Sequence, residues 1–95
     1  MYGLKDSLIN EITGLARKHG LSSVTLFGSR ARGDYQPRSD IDLAVSGGDY
    51  DRFALDVDEE TSTLLMFDIV NLDRTVQPEL LESIRKDGKP LYAKV

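Results

Sequence analysis

Asp40 and Asp42 flank Ile41 at the head of an apolar run, Ile41-Asp42-Leu43-Ala44-Val45. Side chains two apart on a strand share a face. Read as a strand, the run puts Ile41, Leu43 and Val45 into a core and lines the two carboxylates up on the opposite side. The chain therefore needs a sheet with one face apolar and the other carrying concentrated negative charge. Adjacent carboxylates repel, so a compensating cation is expected. Mg²⁺ fits, because it takes oxygen ligands and keeps coordination positions for substrate phosphates.

Ten residues separate Asp40 from Gly28-Ser29, which close another apolar run, Val24-Thr25-Leu26-Phe27. A glycine there has no Cβ, so a phosphate can approach the backbone. Ser29 is expected to cap a short helix and to offer its hydroxyl to a phosphate oxygen, at a helix start that favours anions. The two halves together describe a site for a metal-bound triphosphate.

The string Gly28-Ser29-Arg30-Ala31-Arg32-Gly33, followed by Ser39-Asp40-Ile41-Asp42-Leu43, resembles the signature of the DNA polymerase β-like nucleotidyltransferase superfamily. In its fuller form it is similar to the minimal nucleotidyltransferase (MNT) family. The resemblance implies a third carboxylate on a later strand, and Phe67-Asp68-Ile69-Val70 makes Asp68 the candidate. If that strand lies beside the Asp40-Asp42 strand, all three acids share one face and helices cover the other. The fold expected is α/β (α+β): a small mixed sheet with helices packed on one face.

The resemblance also implies an activity. Asp40, Asp42 and Asp68 would hold two Mg²⁺ ions and carry catalysis, with Asp68 deprotonating or orienting an acceptor hydroxyl. Gly28, Ser29 and Arg32 would bind the nucleotide, ATP. Stand-alone MNT proteins act as antitoxins to HEPN-domain toxins, some by transferring AMP to a toxin tyrosine, as in type VII-like systems. That is the first reading. A non-catalytic antitoxin that inhibits its HEPN partner by contact is the second. A small-molecule transferase of the aminoglycoside-modifying kind is the third.

At 95 residues the chain is expected to be one domain, residues 1–95. Larger relatives use a second domain to hold the acceptor, so an oligomer or another protein is expected to complete that side. The net charge of −4 argues against stable nucleic-acid binding, which needs clustered Lys and Arg. No apolar run reaches the length of a membrane span. There is no cysteine, which excludes disulfides and thiolate metal sites and is consistent with the cytoplasm.

Periodicity predicts a helix over 4–19, a strand over 24–27, a helical turn or two over 29–32, a loop over 34–39 and a strand over 41–46. A helix follows over about 49–63, with Phe53, Val57 and Leu64 inward. Next come a strand over 65–72, a helix opened by Pro78 and ended by Gly88, and a short strand or tail at 91–93. Other polar residues have plain readings beside sharper ones. Arg30 and Arg32 are either solvated or in contact with phosphate. Tyr35 is a candidate to stack on a base. His19 reads as structural. Asp56, Asp58, Glu59 and Glu60 read as a solvated helix face or a docking surface for a basic partner.

Overall fold

The computed structural model describes residues 1–95. Helix α1 (Asp6–Lys18) leads into strand β1 (Ser23–Phe27), the short helix α2 (Gly28–Arg32) and strand β2 (Ile41–Ser46). Helix α3 (Tyr50–Glu60), strand β3 (Phe67–Asn71), helix α4 (Pro78–Asp87) and strand β4 (Lys89–Ala93) complete the chain. The four strands form one mixed sheet in the order β3-β2-β1-β4. β1 pairs antiparallel with β2 and with β4, while β2 and β3 run parallel. Parallel neighbours need a crossover, and α3 supplies it.

Alternation along the strands divides the sheet into two faces. Val24, Leu26, Ile41, Leu43 and Val45 are fully buried against Leu8 and Ile12 of α1 and Phe53 and Val57 of α3, in a cluster of 13 residues. This is the helix-covered face that the sequence predicts. The other face has its own cover over part of its area. There Phe27 and Ala44 pack with Ile84 of α4, edged by Val70, Leu72 and Leu80. α4 reaches this face because Leu80 and Ile84, four apart, form an apolar stripe matched to the few apolar side chains that point that way.

Several boundaries shift for local reasons. α3 stops at Glu60 rather than near residue 63. Thr61 turns extended, its hydroxyl donates to the Val57 carbonyl, and Ser62 is held by Glu11 of α1 through its N–H at 3.0 Å and its hydroxyl at 2.6 Å. Leu64, expected inward, is consequently fully exposed. β4 is a strand beginning at Lys89. Pro90 is tolerated because β4 is an edge, and the register slips between Val24 and Thr25 where it sits. His19 does structural work: its Nε2 lies 2.7 Å from the Asp56 carboxylate, joining the end of α1 to α3. Asp56 thus leaves the acidic cluster, and Asp58, Glu59 and Glu60 stay exposed on α3.

Candidate functional site

The parallel register sets Asp42 of β2 directly opposite Asp68 of β3, and the antiparallel register sets Phe27 of β1 opposite the same Asp42. Three strands therefore deliver Asp42, Asp68 and the end of β1 to one place on the face that α4 only partly covers. Asp40 stands just before β2, exposed, at the mouth of the same site. The crowding is felt most at Asp42. Burial pushes its carboxyl up from an ordinary 3.8 to about 6, the charges of Asp68 and then Asp40 push the same way, and Arg32 opposes them. The other two acids and Arg32 thus act on one carboxylate.

Gly28 opens α2 with φ +74 and lies against this group. A Cβ there would run into the Asp42 carboxylate. Both the backbone angle and the space demand glycine. Ser29 lies within α2, not at its cap. The capping position is Phe27, two residues earlier than expected and with no side-chain hydrogen bond. Arg32 is half-exposed. Its Nε lies 3.3 Å from Asp34 and its Nη1 3.9 Å from Asp87 of α4, so it bridges the two helices that border the site.

Arg30 and Tyr35 depart from their expected places. Arg30 is buried and points away from the carboxylates, donating to backbone carbonyls of Tyr2, Pro37 and Ser39. Tyr35 stacks on that guanidinium, 4.9 Å from ring centroid to Cζ, leaving no free ring face on that side for a base. The only clue in the sequence is the loop 34–39 itself, which has no aliphatic residue to anchor it.

The donor set suits Mg²⁺: hard carboxylate oxygens, excess negative charge at Asp42, and a glycine leaving room beside it. No three side chains among His, Cys, Asp and Glu close into a ready-made cage. Mg²⁺ on a nucleotide needs only one or two carboxylates, with phosphates and water supplying the rest.

A mixed sheet whose strand–Gly-Ser turn abuts carboxylates from two neighbouring strands is the architecture of a nucleotidyltransferase domain. The chain belongs to the polymerase β nucleotidyltransferase family, whose model matches residues 10–95. No curated protein matches it significantly. Among solved structures it is similar to a chain of a toxin–antitoxin complex crystallised with AMP-PNP, with 26% identity and a TM-score of 0.71. That match covers 90% of this chain and 73% of the other. It is likewise similar, at 27% identity and a TM-score of 0.69, to a chain in a mutant of the toxin–antitoxin pair MntA–HpeT. There 90% of this chain and 72% of the other are covered. No helix is long and apolar enough to cross a membrane.

Proposed function

We propose that the protein is a Mg²⁺-dependent antitoxin that moves AMP from ATP to a hydroxyl of a toxin partner, with a tyrosine of a HEPN-domain protein as acceptor. The observation that carries the reading is the register of Asp42 against Asp68, with Asp40 and Gly28 at the same spot. The similar complex crystallised with AMP-PNP supports ATP as the donor and a toxin as the partner.

In this reading the acceptor oxygen bonds to the α-phosphorus, the bond to the bridging oxygen breaks, and pyrophosphate leaves with that electron pair. Asp68, exposed on β3, accepts the acceptor's proton. Asp40, Asp42 and Asp68 would hold Mg²⁺, which supplies charge neutralisation for the phosphates. Gly28 keeps the backbone open to a phosphate. Ser29 offers its hydroxyl and backbone N–H there, and Arg32 adds a positive charge at the rim.

A contact inhibitor is the second reading, and one observation favours it. Apart from the chain ends, the exposed large hydrophobics are Leu55, Leu64 and Met66, all on α3 or the approach to β3. One experiment separates the two. Asp68→Asn should leave partner binding intact and lower transfer of labelled AMP by at least about a hundredfold. The pair Asp40→Ala with Asp42→Ala should abolish rescue of cells from the toxin. Full rescue by a folded double variant overturns the catalytic reading in favour of contact inhibition.

A further inference from the structure

Arg30 is the only charged residue in the buried set, at 1% exposure. No carboxylate pairs with it, although the chain carries 16 acids. A buried guanidinium is costly unless its N–H groups are satisfied. Here the partners are backbone carbonyls. Nε donates to Ser39 at 3.1 Å, Nη1 to Tyr2 at 3.0 Å and Nη2 to Pro37 at 3.2 Å, and Tyr35 covers the plane. Gly3, at φ +70, packs against the assembly: a Cβ there would lie 2.8 Å from Nη1 and 2.8 Å from Cζ of Tyr35.

These contacts join separate parts of the site. Arg30 is one residue from Ser29 on α2. Its fork grips the loop at Pro37 and Ser39, and Ser39 immediately precedes Asp40. A planar five-donor fork fixes orientation as well as distance, which a lysine ammonium does not. We propose that Arg30 is a positioning residue: it holds the loop 34–39 so that Asp40 is set against the metal and nucleotide, with the Tyr2-Gly3 turn as an outer brace. It touches no phosphate itself. The role in metal–nucleotide binding rests on the nucleotidyl-transfer reading, while the role in loop order does not.

The test uses the full chain, calorimetry with Mn²⁺·ATP, amide exchange and thermal melting. Arg30→Lys keeps the charge and loses the fork. It should weaken Mn²⁺·ATP binding by at least about tenfold, as supporting partners of metal ligands do. It should also speed exchange at the Gln36 and Ser39 amides, which are bonded within the loop, while strand β2 stays protected. Gly3→Ala keeps the guanidinium but crowds both its Nη1 and the Tyr35 ring, and should act in the same direction more weakly. Arg17→Lys, at another cation–aromatic pair 5.9 Å over Tyr92, should change neither readout.

A folded Arg30→Lys protein with wild-type affinity and wild-type loop exchange overturns the proposal. So does a uniform rise in exchange across the sheet, which would make Arg30 a general stabiliser. If the wild-type protein fails to bind Mn²⁺·ATP, the nucleotidyl-transfer reading falls, and loop exchange alone decides whether Arg30 holds the loop.

Discussion

The two faces of the sheet divide the labour of the molecule. One buries 13 residues under α1 and α3 and carries neither of the strand-borne acids. The other buries three under α4 and gives the rest of its area to Asp42, Asp68 and the Gly28 turn. Both faces come from the same strands, so the core residue Leu43 has the site residue Asp42 as its neighbour in sequence. Stability sits on one side, which lets the other side tolerate a cluster of like charges that works against folding.

Substitutions on the two faces test that division. The largest effect is expected at Phe53, fully buried under the sheet: Phe53→Ala should destabilise the fold by about 3–5 kcal/mol, read by urea unfolding. A loss below about 1 kcal/mol would show that the α1–α3 face is not the stabilising one. Gly28→Ala is next. A left-handed angle and a blocked Cβ should together cost about 1–3 kcal/mol and displace Asp42, so nucleotide affinity should fall with stability. Normal affinity would mean that the site does not need the close approach at Gly28.

The smallest effect has the opposite sign. In metal-free protein Asp42 keeps its proton up to about pH 6, whereas the unfolded chain releases it near 3.8. The folded state therefore holds more protons between those values, and this group's contribution to stability falls as pH rises from about 3.8 through 6. Asp42→Asn should remove the penalty and raise Tm in EDTA at pH 7. The group is only partly buried, so the gain is on the order of 1 kcal/mol after screening. No gain, or a loss, would show that the acids are not in conflict.

The carboxylate face was legible because it depends on strand periodicity and register, which side-chain alternation encodes directly. Asp40 and Asp42 could be placed together from Ile41-Leu43-Val45, and Asp68, singled out by the family resemblance, joins them through its alternation with Phe67 and Ile69, given adjacent strands. Arg30 was not legible. In a helix of five residues no period distinguishes a buried arginine from the exposed Arg32 two positions on, and its partners are carbonyls, which any sequence has. The end of α3 was missed because Thr61 and Ser62 are neutral in pattern, and the stop comes from hydrogen bonds to Val57 and to Glu11, 51 residues away from Ser62. The packing of α4 on the carboxylate face could not be read either, since an amphipathic helix does not announce which side of a sheet it will meet.

The parallel pairing of β2 with β3 also governs when the site comes into being. β1 and β2 are antiparallel neighbours close in sequence, whereas β3 must wait for the crossover through α3, and such non-local pairings form late. A chain arrested before that step holds Gly28, Asp40 and Asp42 but lacks its third acid. On the nucleotidyl-transfer reading proposed above, half-folded molecules would be catalytically silent, and the complete site would exist only in chains whose edge strand has docked.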